Sequence, residues 1–443
     1  MSPRVDKKPP TSDSSEACLP RPEYPRPILA RDDWQSLNGR WSFRVDEDNR
    51  GLADHWFKAA WDHAGTIIVP FSMESVASGM AESEGARVVW YQREIANPEA
   101  WRGRIVLRIG ASDFHTRVFV NGLEVGQHRG GYAAFGFDIQ HALQLGRNHI
   151  TIRVEDSLSW TQPRGKQAGT TRWPIDYDGV TGIWQSVWLE PLPTVSIEST
   201  SYAYEVDKQS LHYKVFLSEH VDGEVSLEIL DGDGVVASDT VQTSGRAEVR
   251  TTLAIETPKL WSPEQPYLYE VRLTLLNHAT GERDQAMSYT GLREVSVIDG
   301  QLCLNGAPRY LRGVLDQGYF PGGWYTAPTD EELRRDVELT VAMGFNCARK
   351  HQKAEDPRYL YWADKLGLMV WAEMPSGRVF SSELVESLTG EWMDLIKRDR
   401  AHPSIIAWVP FNESWGIWHQ SERPEQRAFA DAVTSLTKSL DNS

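Results

Sequence analysis

The sequence predicts a multidomain fold: an N-terminal β jelly roll, an immunoglobulin-like β-sandwich, and an incomplete (β/α)8 TIM barrel of about four βα units. Three observations predict it. Apolar residues alternate with polar ones in RIVLRIG, TRVFVNG and HITIRVED, the period-two spacing that turns one face of a strand toward a core. Turn residues recur about every ten positions through the middle of the chain, as a sandwich requires. After Asn305 the rhythm changes to short apolar runs alternating with capped helical stripes, the pattern of parallel strands with helices outside.

Residues 1–30 begin MSPRVDKKPPTSDSSEACLP, polar and rich in Pro and Ser, without the apolar stretch of a signal peptide. They read as a disordered leader, and the protein as cytoplasmic. Residues 31–193 are the expected jelly roll. Asn121-Gly122 within VFVNGLEVG is its strongest hairpin signal, because both positions accept a positive φ. Pro191 and Pro193 mark the next seam, since Pro cannot donate to a central strand. Residues 194–296 carry LHYKVFLSE, GEVSLEILDGDG, RAEVRTTLAIE and LYEVRLTLLN. That is roughly seven strands in about 100 residues, as in an immunoglobulin-like sandwich; a Greek-key barrel fits the count less well.

Residues 297–443 form the last domain. RYLRGVLDQ reads as a buried strand. Thr329 or Asp330 caps a helix over TDEELRRDVELTVAMG, with acids crowding its positive end and Gly344 as its stop. The strands FNCARKH, LMVWAEMP and SIIAWVPFN then alternate with helices over DPRYLYWADKLG, SSELVESLTGEWMDLIKRDRAH and PEQRAFADAVTSLTKSL. A closed barrel takes eight such units in about 250 residues. The four here imply a chain truncated halfway round, a smaller open α/β domain being the other reading.

Composition narrows the function. At 443 residues, 40% hydrophobic and 24% charged, the chain is too long for one core. It has no apolar run near the roughly 20 residues of a membrane span. The net charge of −16 argues against nucleic acid and anionic membrane partners, both of which call for a basic face. It suits a small neutral substrate. The 18 Trp serve mainly as core, yet a Trp face also stacks on sugar C–H surfaces. Cys18, Cys303 and Cys347 are widely spread with no CxxC, which supports neither a disulfide framework nor a zinc site.

Polar residues follow each parallel strand: Asp316-Gln317, Arg349 to Lys353, Glu373, and Asn412-Glu413. In parallel α/β folds ligands bind at that rim, where strand-to-helix loops converge. Charged side chains at buried strand ends are costly unless paired, so a structural ion-pair network is the other reading. Asn412-Glu413 is the sharpest pair. It ends the strand SIIAWVPF and precedes Ser414-Trp415-Gly416, a setting expected to desolvate the carboxyl and suit it to general acid work.

RDRAHPSIIAWVPFNES resembles the acid/base signature of glycoside hydrolase family 2, the β-galactosidase, β-glucuronidase and β-mannosidase family. GFNCARKHQK resembles its second signature, with Asn346, Arg349 and His351 at matching positions. The family usually continues His-Tyr-Pro where this chain has His351-Gln352-Lys353. LNGRWSFRVD, VFVNG and TGIWQSVWLE resemble stretches of its sugar-binding jelly roll. RGVLDQGYFPGGWYTAPTD departs from the β-galactosidase pattern after the first strand and is closer to a branch that includes galactofuranose or arabinofuranose activity.

The resemblance implies a retaining exo-glycosidase, β-galactosidase-like, hydrolysing terminal O-glycosidic bonds of a small glycoside or oligosaccharide. Glu413 is then the general acid/base, and Asn412 contacts the sugar at its 2-position. Arg349, His351, Asp316 and Glu373 bind substrate or tune charge, and Trp415 offers a stacking face, with core packing as its other reading. A jelly-roll loop reaches the barrel mouth in the family, which makes Asp178 of Asp176-Tyr177-Asp178-Gly179 a contact candidate; a plain Asp-Gly turn is the alternative. The resemblance allows a Mg²⁺ or Na⁺ ion and a homo-oligomer, but no dedicated metal cluster stands in the sequence. Retention needs two carboxyls about 5–5.5 Å apart. The family's nucleophile lies well downstream of its acid/base, and no residue here matches its motif. The chain is therefore expected to lack the nucleophile and to be inactive or badly impaired. A non-catalytic carbohydrate-binding protein is the competing reading.

Overall fold

The computed structural model describes residues 19–81, 86–98, 100–168, 173–441 and 443. A six-stranded and a four-stranded antiparallel sheet make up the first sandwich. The larger runs in the order Gly65–Val69, Gly39–Val45, Val88–Ala96, Arg147–Glu155, His115–Val120, Leu123–Arg129. The smaller runs Gln35–Ser36, Val187–Leu192, Arg104–Ile109, Phe135–Asp138. Alternation explains the packing: Trp41, Phe43, Tyr91, Ile150 and Ile152 of one sheet meet Ile105, Leu107, Ile109, Val187 and Leu189 of the other in one buried core. The Asn121-Gly122 hairpin forms as expected, with φ of 51° and 83°. Pro191 lies inside a strand rather than after it, opposite Ile105. On its other side the two-residue neighbour Gln35–Ser36 has already ended, so the missing N–H removes no ladder bond.

Part of the expected disordered leader is ordered. Residues 1–18, Cys18 among them, lie outside the described residues, but from Leu19 the chain is packed. Pro27–Leu29 form a 3-10 turn whose Ile28 and Leu29 enter the core of the second sandwich. Arg21 is buried between Glu23 and Asp356. The apolar Pro-Ile-Leu run was the signal for this.

The second sandwich has seven strands. Three of them, Ile197–Glu205, Ser210–Val221 and Arg246–Ala254, face four, ordered Gly234–Gln242, Gly223–Asp231, Tyr269–Asn277, Arg283–Thr290. A small antiparallel sheet over Val295–Ile298, Gln301–Leu304 and Ala307–Pro308 leads to the last domain.

There the strands Gly313–Asp316, Cys347–Lys350, Met369–Glu373 and Ile405–Val409 form a parallel sheet in sequence order. Helices α1 (Asp330–Ala342), α2 (Pro357–Leu366), α3 (Ser382–Asp399) and α4 (Pro424–Leu440) follow them in turn. Thr329 caps α1 by accepting from Glu332 N–H, and Ser381 caps α3 by accepting from Leu384 N–H. The first strand is not the buried strand its sequence suggested: it pairs on one side only, and Leu315 is half exposed. With a neighbour along one edge only, its other edge and the side chains beside it stay open.

The first sandwich and the parallel domain share a core. Ala111, Tyr132, Val180 and Trp184 pack with Leu384, Leu388, Trp392 and Ile396 of α3. Within this joint Glu391 Oε1 accepts from the Tyr132 N–H at 2.5 Å, while its Oε2 is buried with no hydrogen-bond partner among the described residues. Burial raises this carboxyl from 4.5 to about 7. The folded protein therefore holds a proton that the unfolded chain releases, so this group's contribution to stability is lost as pH rises from 4.5 through about 7. Glu391→Gln is expected to raise Tm by about 2–5 °C at pH 8 and to leave it nearly unchanged at pH 4.5. Thermal scans at the two pH values check this; equal shifts would overturn it.

Candidate active site

The C-terminal ends of the four parallel strands carry one connected set of charges. Arg349, at the end of the second strand, donates from Nε to Glu373 Oε2 at 2.7 Å and from Nη2 to Asn412 Oδ1 at 2.5 Å. His351 Nδ1 lies 3.1 Å from Glu373 Oε1, which also accepts from the Gln352 N–H at 2.8 Å. Glu373 is thus buried with both oxygens engaged. Asn412 is buried too, and its Nδ2 has no partner among the described residues. An N–H left open on an arginine-held amide can donate to a ligand oxygen.

Beneath that layer lies a second one. Lys350 Nζ reaches Asp316 Oδ2 at 2.6 Å and Glu355 Oε2 at 2.8 Å. Lys353 Nζ lies 2.8 Å from Glu355 Oε1 and donates to the Gly318 and Tyr325 carbonyls. Burial alone would raise Glu355, but the two ammoniums override it and hold the carboxyl at about 2. Asp316 was expected to bind substrate; one oxygen is taken by Lys350 and the other by the Gly318 N–H. Lys353, where the sequence departs from the family signature, is a buried structural cation. Asn346 of the same signature sits at the far end of its strand. It accepts from the Arg312 N–H and donates to the Tyr310 carbonyl, fixing the first strand's register.

Glu413 follows the fourth strand, the other edge of the sheet. Its carboxyl is exposed and has no hydrogen-bond partner among the described residues. The sequence led to the expectation of a desolvated carboxyl, whereas the structure leaves the Glu413 side chain exposed. The backbone is unusual here. Glu413 and Ser414 have φ of 49° and 61°, and Gln352 has 57°, conformations that cost a non-Gly residue about 1–3 kcal/mol and cluster at functional sites.

The first sandwich closes the mouth. Tyr177 accepts from Gln317 Nε2 at 2.8 Å and stacks on Tyr319, centroids 4.4 Å apart. Asp178 receives the Tyr319 hydroxyl at its carbonyl, 3.5 Å away. The Asp176–Gly179 loop therefore stands beside the first strand's end. Asp176, named in the sequence only as part of that loop, is buried and ion-paired with Arg378. The Arg378 guanidinium lies over Trp173 at 4.3 Å, Trp415 at 5.0 Å and Trp160 at 5.8 Å. Trp415 is accordingly a buried wall of this cluster, 3% exposed, rather than the open stacking face expected. Its neighbours come from positions far away in sequence, so no local signal could have found them. The exposed member is Trp418, whose Nε1 donates to the Arg378 carbonyl. Among the described residues no three His, Cys, Asp or Glu converge as metal ligands would, and no helix is long and apolar enough to cross a membrane.

Two antiparallel sandwiches ahead of a parallel βα domain, with an Arg–Glu–Asn constellation on its C-terminal rim, define a glycoside-hydrolase architecture. Models of glycosyl hydrolases family 2 match nearly the whole chain: the sugar binding domain over 34–193, the family's central model over 195–293 and its TIM barrel domain over 295–443. The chain belongs to glycoside hydrolase family 2. A β-glucuronidase of Paenibacillus borealis is 27% identical over 93% of this chain and 73% of its own length. The Homo sapiens β-glucuronidase is 27% identical over 95% and 69%. A β-galactosidase of Thermoanaerobacter pseudethanolicus is 28% identical over 86% and 51%. The Ruminococcus gnavus β-glucuronidase in complex with D-glucuronic acid shares the fold with a TM-score of 0.82 at 24% identity, over 94% of this chain and 72% of that one.

Proposed function

We propose that this chain forms the sugar-binding and acid/base-bearing part of a retaining exo-glycosidase, divided into a jelly roll (31–193), an immunoglobulin-like sandwich (194–296) and barrel units (297–443). The observation that carries it is the Arg349–Glu373–Asn412 constellation at the rim, with Glu413 the next residue after the held Asn412. Glu413 protonates the leaving oxygen and later activates water. Asn412, with its open Nδ2, holds a hydroxyl beside the scissile bond, and Arg349 fixes that amide's orientation. Glu373 is a positioning residue, because its oxygens are committed to Arg349, His351 and the Gln352 N–H. The nucleophile is assigned to none of the described residues. The β-galactosidase-like reading of the sequence gives way to a β-glucuronidase-like one, supported by the names of the relatives above and by their coverage of this chain.

The test is turnover of nitrophenyl β-glucuronide, β-galactoside and β-mannoside by the intact enzyme, with the first-formed anomer followed by proton NMR. The β-anomer is expected first, with the glucuronide preferred. An α-anomer formed first would overturn the retaining mechanism.

A further inference from the structure

Charge accounting across the rim leaves two groups over. Glu373 faces Arg349 and His351, Asp316 and Glu355 face Lys350 and Lys353, and Asp176 faces Arg378. Among the described residues, the Glu413 carboxylate and the Lys166 ammonium have no hydrogen bond or close ion pair. Lys166 belongs to the first sandwich, yet it stands within electrostatic reach of Glu413, Glu373, Asp176 and Arg349. It is half-buried, and partial burial holds its pKa below the ordinary lysine value.

The backbone around Lys166 is fixed to the mouth. Gly165 N–H donates to the Ser376 carbonyl at 3.0 Å, and the Lys166 carbonyl accepts from the Tyr177 N–H at 2.9 Å. Gly165 has a φ of 60°, and a Cβ there would fall 2.1 Å from the Gln352 carbonyl. Only glycine lets this loop lie against the loop that follows the second parallel strand. The Arg164 guanidinium, itself buried, is bonded to the Leu158 and Gln167 carbonyls. A lysine planted on so rigid a base, partly stripped of water and given no carboxylate of its own, is a cation awaiting an anion.

We propose that Lys166 is a specificity-determining residue that donates to the carboxylate of a uronic acid glycone. This rests on the reading of the rim as the glycone site. The sugar carboxylate gives the Lys166 ammonium a direct hydrogen-bonding partner, which a neutral hexose does not offer. Selection for an acidic sugar then comes partly from the first sandwich rather than from the parallel sheet alone.

Methyl β-D-glucuronide and methyl β-D-glucoside differ only in carboxylate against hydroxymethyl, and their dissociation constants are measured by calorimetry for the parent, Lys166→Gln and Lys166→Arg. The parent is expected to favour the glucuronide at least tenfold. Lys166→Gln should weaken glucuronide binding about tenfold to hundredfold, the range of a charged hydrogen bond, and change glucoside binding less than twofold. Lys166→Arg should restore part of the loss, and Tm should stay constant across the three. Equal weakening for both sugars marks a structural role and overturns the proposal. Glucuronide preference that survives Lys166→Gln overturns it too, while the glycosidase reading stands. A parent that binds neither sugar brings down both.

Discussion

Replacing Glu413 with Gln is expected to cut kcat/KM for an alkyl glycoside by about 10³-fold in the intact enzyme, while a dinitrophenyl glycoside loses about tenfold or less. The difference follows from the acid's task. An alkoxide cannot depart without a proton, and Gln has none to give; a dinitrophenolate leaves unaided. The side chain is exposed and makes no hydrogen bond among the described residues, so the substitution should leave Tm unchanged. Equal losses on both aglycones would show that Glu413 serves binding rather than proton transfer.

The second large effect is on stability. Glu355 is buried between Lys350 and Lys353 at 2.8 Å from each. Glu355→Gln is expected to cost about 3–5 kcal/mol, because it leaves two buried ammoniums without their shared anion. Adding Lys353→Met should recover part of the loss, since one of the two stranded charges goes with it. Denaturant melts of parent, single and double variants measure both. A single variant as stable as the parent would mean that water reaches the lysines. The depressed carboxyl sets the pH window: its stabilising contribution is present above 4.5 and is lost as pH falls toward about 2.

What was legible in the sequence was whatever repeats locally. Strand periodicity marked both sandwiches, and Thr329, Ser381 and Gly367 cap or end the helices where the pattern changes. Asn412-Glu413 and Arg349 were legible because strand ends in a parallel sheet converge by construction. Lys166 and the pairing of Asp176 with Arg378 were not, since both depend on how one module docks against another roughly 200 positions later. Trp415 misled for the same reason: its partners Trp173 and Arg378 come from two other loops. Exposure of Leu315 and Glu413 was hidden as well, because a sequence does not say which strand of a sheet has one neighbour.

The contact of Gly165 with the Gln352 carbonyl has a practical meaning for engineering. On the proposed reading, acid/base chemistry rides on one module and part of substrate choice on another. The modules share the core around Trp184 and Trp392, and one side-chain-free point lets the Lys166 loop lie against the loop after the second parallel strand. Exchange of the first sandwich with that of a relative should re-address the enzyme to a different sugar while its proton chemistry stays as it was. The exchange would work only between partners that keep glycine at this joint. A graft carrying a larger residue there would set a Cβ 2.1 Å from the Gln352 carbonyl and push the loop that bears Lys166 away from the mouth.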